Sequence, residues 1–309
     1  MPMLPFKLVW HPGYDLNIGA HVFPAKKFRL IHDRLLLERF AEEADFLQPE
    51  PASDEDILRV HEPGWVNRLK TGTLGYDELM KLELPYSRQM AEAFWLAAGG
   101  SILAARCALV DGIGFNVGGG FHHAFPDHGE GFCAISDIAV AIRTLQSEGA
   151  VHTAMVVDCD VHQGNGNAAI FARDESVFTV SLHQLHNYPF EKPPSNIDVD
   201  LPDQTTDREY LAALEEALDC GFAAFRPDLL MYIAGADPYR EDQLGGLSLT
   251  VGGLKERDLM VMRRAHKLGV PVAIGLAGGY AWDTNDTVTI HCNTAKAACE
   301  VLAPERGGA

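Results

Sequence analysis

The chain is poor in basic side chains, carries no closely spaced cysteine pair and contains no long apolar run. Its 25 Lys and Arg against 43 Asp and Glu give a formal charge of −18. That balance excludes broad, non-specific nucleic-acid binding while leaving room for a local basic patch. The six cysteines, at 107, 133, 159, 220, 292 and 299, form no Cys-x-x-Cys pair, so reduced core thiols are expected rather than a disulfide framework. No stretch approaches the roughly 20 apolar residues of a membrane span, and residues 1–7 lack the basic start and apolar run of a secretory signal. A cytoplasmic protein is therefore expected, with neither membrane nor direct nucleic acid among its partners. No internal repeat, low-complexity tract or Pro/Gly/Ser linker divides the 309 residues. Length alone suggests about two domains, but one domain over 1–309 is the expectation.

What is present is globular material, 47% hydrophobic and 22% charged, enough for a sizeable core. Short, unalternating apolar runs at 114–117, 154–157, 177–182, 229–233 and 272–276 predict strands buried on both faces of a parallel sheet. Helices are expected over 88–108, 137–145 with Ser136 as N-cap, 207–225, 254–268 and 287–302. Alternation of the two predicts an α/β fold with a central, mainly parallel sheet flanked by helices. The first 85 residues are expected to add a strand, a helix and long loops.

Each predicted strand runs into a cluster of Gly, His, Asp or Tyr. These are Gly118-Gly119-Gly120-Phe121-His122-His123, Asp158-Cys159-Asp160-Val161-His162, Ser181-Leu182-His183, Gly235-Ala236-Asp237 and Gly278-Gly279-Tyr280. Ligands of parallel α/β sheets bind outside the carboxyl ends of the strands, so five distant loops can converge on one site. Asp160 and His162 stand one residue apart and point the same way from an extended strand end. With Asp237 as the natural third ligand they make the donor count of a catalytic divalent-metal site. Zinc is the first expectation, and Fe²⁺, Co²⁺ or Mn²⁺ also suit the donors. A lone Asp after a strand is usually a turn former; recurrence at successive strand ends is what points to chemistry. The triple glycine has neither a following Lys-Ser/Thr nor Gly-x-Gly-x-x-Gly spacing, which argues against a nucleotide loop.

These blocks, in this order, resemble the histone deacetylase family. Gly118 to Ala124, followed by Gly129-Glu130-Gly131-Phe132-Cys133, looks like its tandem-histidine block, and Val157 to Gly166 like its metal block. Val60-His61-Glu62-Pro63 and Trp65-Val66 fit as well, so the resemblance covers nearly the whole chain. Gln163 and Asn165, together with His11-Pro12-Gly13-Tyr14-Asp15 and Asn187-Tyr188-Pro189, look most like the class IV branch and its bacterial relatives.

The resemblance implies an arginase/deacetylase fold and metal-dependent hydrolysis of an Nε-acyl-lysine amide. It implies that Asp160, His162 and Asp237 hold zinc, that His123 is the general base oriented by Asn165, and that His122, oriented by Asp158, stabilises charge. Tyr280 is the implied oxyanion donor. Asp158, Ser181 and Leu182 correspond to a structural monovalent-cation site, usually potassium, while Gly131 and Phe132 wall the acyl-lysine path. Tyr188 is expected either at its rim or on the surface. His21 and His128 read as surface or loop groups, and Cys159 as a structural thiol turned into the sheet. Acetylpolyamines and other acylated small amines remain alternative substrates. An arginase-like ureohydrolase and a non-catalytic acyl-lysine-binding module are the alternative functions.

Overall fold

In the computed structural model, which describes residues 4–303, strands and helices alternate along the chain. The N-terminal part carries β1 (Lys7–Val9), α1 (Lys27–Leu37), β2 (Phe46–Leu47), α2 (Asp54–Leu58), α3 (Pro63–Thr71) and α4 (Tyr76–Leu82). The long α5 (Arg88–Asp111) leads to β3 (Ile113–Asn116), α6 (Asp137–Ser147), β4 (Ala154–Asp158), α7 (Asn165–Phe171), β5 (Val177–Gln184) and β6 (Ile197–Leu201). Then follow α8 (Asp207–Ala224), β7 (Leu229–Ile233), α9 (Val251–Lys267), β8 (Val272–Gly275) and α10 (Thr284–Leu302).

The eight strands form one sheet in the order β2-β1-β3-β8-β7-β4-β5-β6, and every pairing is parallel. Their pleat sends alternate residues to opposite sides. In β4, Ala154 and Val156 join one apolar core, while Met155 and Val157 join the other. Both faces are thus covered, which is why the central strands read as continuous apolar runs. Parallel pairing also places all carboxyl ends on one edge of the sheet.

Helix starts follow local chemistry. Ser87 Oγ accepts from Met90 N at the head of α5, and Ser136 Oγ accepts from Ala139 N at the head of α6. By length and composition α5 could cross a membrane, contrary to the expectation that no stretch comes close. However, 78% of its most apolar window is buried inside the protein, where it packs on α6 and β3.

Predicted elements are found with ends moved by a few residues. The first 85 residues hold two strands and four helices rather than one of each, and the edge strand β6 and short α7 are additions to the expected set. All six cysteines are free. Cys133, Cys159 and Cys292 are buried, but Cys220 is exposed and is not a core thiol.

Candidate active site

The segments leaving β3, β4, β7 and β8 meet at the carboxyl edge. Gly119 and Gly120, at φ 69° and 82°, make a left-handed turn that residues with a Cβ adopt only at a cost. Asp137, at the first turn of α6, holds this turn by accepting from Gly120 N at 3.0 Å and Phe121 N at 2.8 Å. A Cβ on Gly120 would lie 2.6 Å from Ala277 N, so the glycines let the β3 loop tuck against the β8 loop. They deliver His122 and His123, both buried, into the site.

Asp160, His162 and Asp237 are brought together in the interior, with one ligand atom of each within 4.8 Å of the others. His162 Nδ1 lies 3.0 Å from Asp160 Oδ1 and 3.4 Å from Asp237 Oδ2. The remaining carboxylate atoms are held by backbone: Val161 N donates to Asp237 Oδ1 at 2.9 Å and Gly278 N to Asp160 Oδ2 at 2.8 Å. Asp237 Oδ2 is buried without a hydrogen-bond donor, an arrangement that calls for a cation. Burial alone would lower the His162 pKa, yet its bond to Asp160 and the adjacent Asp237 carboxylate raise it to about 10. Burial and the Asp160 charge raise the Asp237 carboxyl. Positive charge is what this pocket wants, and one imidazole with two carboxylates fits a divalent ion. Glycine keeps it open, since a Cβ on Gly278 would lie 1.9 Å from Asp237 Oδ2 and 2.7 Å from Asp160 Oδ2.

The tandem histidines have unlike partners. His122 donates from Nδ1 to Asp158 Oδ2 at 2.7 Å, whereas His123 Nδ1 lies 2.6 Å from Asn165 Oδ1. For His122, burial is outweighed by Asp158 and Asp160, and its pKa rises to about 9. Burial and the positive charges of His122 and His162 push His123 well below the usual imidazole range. These surroundings thus favour the charged form of one ring and the neutral form of its neighbour, 4.0 Å away between centroids.

Tyr280 closes another side, its ring 6.3 Å from that of His162 and 6.0 Å from that of Phe132. Its backbone is fixed by Asp242, which accepts from Tyr280 N at 2.6 Å. Burial and the Asp160 and Asp237 charges raise its phenol pKa well above normal, so the hydroxyl keeps its proton. Gly131 (φ 50°) and Phe132 (φ 67°) form a left-handed corner beside His123. Tyr188, open between rim and surface in sequence, lies edge-on to His123 with centroids 4.9 Å apart. Asp158 and Ser181 are register partners on β4 and β5, with Leu182 buried next to them. Ser181 Oγ is 3.0 Å from His183 Nδ1. Cys159 joins the core cluster on the far side of the sheet.

Two histidines read as surface groups belong to the surroundings of the site. His21 packs edge-on to Phe132 at 5.1 Å, and half-buried His128 stacks on Phe125 and reaches Glu130 Oε2 at 3.4 Å. Sequence reasoning missed Phe23, whose ring lies 6.1 Å from that of Phe132 and 6.2 Å from that of Tyr280. It also missed buried Lys27, which donates to Ala277 O at 2.6 Å, and Glu130, which anchors Asn165. Arg257 was missed too: it is fully buried and bridges the carbonyls of Cys159 at 3.1 Å and Gly235 at 2.6 Å, tying the Asp160 and Asp237 loops together. A charged residue in a helical pattern near Gly and Asp gave no local signal of that. One group of possible metal ligands is found among the described residues, which gives the two-metal ureohydrolase alternative no second ligand set.

A profile of the Histone deacetylase domain family matches residues 21–295. An uncharacterized protein of Picosynechococcus sp. is 39% identical, with 96% of this chain and 99% of the relative covered. Histone deacetylase 2 of Arabidopsis thaliana is 31% identical, with 91% of this chain and 76% of the relative covered. The crystal structure of an HDAC homolog from Aquifex aeolicus superposes with a TM-score of 0.79 at 25% identity, covering 96% of this chain and 88% of that one. Sheet and loops thus belong to the arginase/deacetylase class of folds, on which metal-dependent hydrolases are built. Within that class the chain belongs to the histone deacetylase family, and it is a hydrolase of that type.

Proposed function

We propose that this chain, acting as one catalytic domain, removes acetyl or longer acyl groups from Nε-acyl-lysine in a peptide or protein. We further propose zinc as the ion at Asp160, His162 and Asp237. The observation that carries the reading is the pair of buried histidines with unlike partners, one on the Asp158 carboxylate and one on the Asn165 amide, beside that ligand set. A divalent ion there supplies Lewis-acid polarisation of the acyl carbonyl and acidifies water. His123, with its proton on Nδ1, presents a free Nε2, takes a proton from the attacking water and returns it to the leaving amine. His122, held positive by Asp158, stabilises the negative charge that develops nearby. Tyr280 donates its hydroxyl proton in a hydrogen bond to the oxyanion. Gly131, Phe132, Phe23 and Tyr188 wall a path for the lysine methylenes and keep water from it. A potassium ion at Asp158, Ser181 and Leu182 would brace the ends of β4 and β5.

The test is a panel of acyl-lysine peptides, from acetyl to long-chain, beside acetylpolyamines, with and without chelator and with metal content measured. Chelator-sensitive turnover of the peptides, restored by zinc, is the expected result. Turnover confined to acetylpolyamines would replace the substrate class, and no turnover on either would sink the reading.

A further inference from the structure

The Glu130 carboxylate has no part in the chemistry proposed above, yet it anchors two groups that touch His123. Its Oε1 accepts from Asn165 Nδ2 at 2.9 Å and from the Tyr188 hydroxyl at 2.6 Å. Asn165 Oδ1 in turn lies 2.6 Å from His123 Nδ1, and the Tyr188 ring stands edge-on to the imidazole at an interplanar angle of 87°. We infer that Glu130 is a positioning residue that sets the tautomer of His123 through the Asn165 amide. The inference rests on the reading of His123 as general base.

A side-chain amide has nearly the same shape either way round but opposite polarity at its two ends. With its oxygen towards His123, the neutral ring must carry its proton on Nδ1 and leaves Nε2 free to accept. With its NH₂ group towards His123, Nδ1 must accept, the proton moves to Nε2, and the ring cannot act as a base there. An ionised carboxylate only accepts, so Glu130 admits the first orientation and opposes the second. Gly166 N, which donates to Asn165 Oδ1 at 3.0 Å, selects the same orientation from the other side. Burial would raise the Glu130 carboxyl, but bonds from His128, Tyr188 and Asn165 hold it below its usual range. The negative charge that Asn165 lacks thus stands one residue further out.

Reversing the polarity of the contact tests this. Glu130→Gln loosens the amide's orientation, and Asn165→Asp sets two carboxylates against each other across 2.9 Å. Each single variant is expected to lower kcat about 10- to 100-fold with KM changed less than about twofold. In the double variant, the amide introduced at position 130 donates to the carboxylate introduced at position 165, and that carboxylate accepts from His123. Its kcat should return to within about threefold of the parent. Losses that multiply in the double variant, or a Glu130→Gln enzyme at parental kcat, would overturn the inference. Should a variant fail to fold, ¹⁵N chemical shifts of the parent's His123 decide alone: a protonated Nδ1 supports the inference and a protonated Nε2 refutes it. A parent without amidase activity would defeat the functional reading while leaving that tautomer measurement intact.

Discussion

Tyr280 offers the cleanest substitution at the level of single residues, because its ring packs against His162, Phe132 and Phe23 while its hydroxyl is the proposed oxyanion donor. Tyr280→Phe keeps the packing and removes the donor. It should therefore lower kcat about 100- to 1000-fold with bound metal unchanged by elemental analysis. Full activity in that variant would remove the oxyanion role. The clustering of Asp160, His162 and Asp237 could be read from sequence because each sits in a short run of unusual composition just past an apolar strand. Glu130 and Arg257 could not. Their importance arises from contacts 35 and 98 residues away along the chain. Glu130 stands inside the 129–133 block, but nothing local assigns its carboxylate a partner, and Arg257 lies in an ordinary helical pattern. Phe23 looked like any aromatic, and only the fold turns it towards Tyr280.

Whole elements depend on equally indirect supports. His61 joins α3's approach to the head of α6, accepting from Ser136 N at 3.0 Å through Nε2 and donating to Phe125 O at 2.9 Å through Nδ1. Burial lowers its pKa to about 4, against about 6.5 in an unfolded chain. Between those values the unfolded state binds the extra proton. Stability from keeping His61 neutral is therefore complete above about pH 6.5 and fades as pH falls towards 4, by on the order of 3 kcal/mol. Denaturant unfolding from pH 7.5 to 4.5 should show this loss in the parent and a shallower one in His61→Gln; parallel curves would exclude it. Among the strands, those that left little mark in the sequence did so for two physical reasons. β1 and β2 span three and two residues, too short for any period to register. β6, Ile-Asp-Val-Asp-Leu, alternates because it lies at the sheet's edge, unlike the doubly buried strands with their unbroken apolar runs. The central strands and long helices were readable because burial on both faces and helical periodicity leave marks over many residues.

At the scale of the whole molecule, the edge-wise convergence of loops follows from one fact, that all eight strands run in the same direction. That same order has a consequence for biogenesis. β8 is the last strand to be synthesised, yet it lies in the middle of the sheet, between β3 and β7. At about 5–20 residues per second of translation, β3 waits on the order of ten seconds for the neighbour that pairs with it. Meanwhile β3 and β7 each present an open edge, a surface prone to pairing with the wrong chain. Ribosome-bound chains arrested before Val272 should be cut by low protease doses that spare the released protein, and equal resistance would show that the sheet closes without β8. Tyr280 emerges later still, so the nascent enzyme would stay catalytically silent until the middle of its sheet is in place.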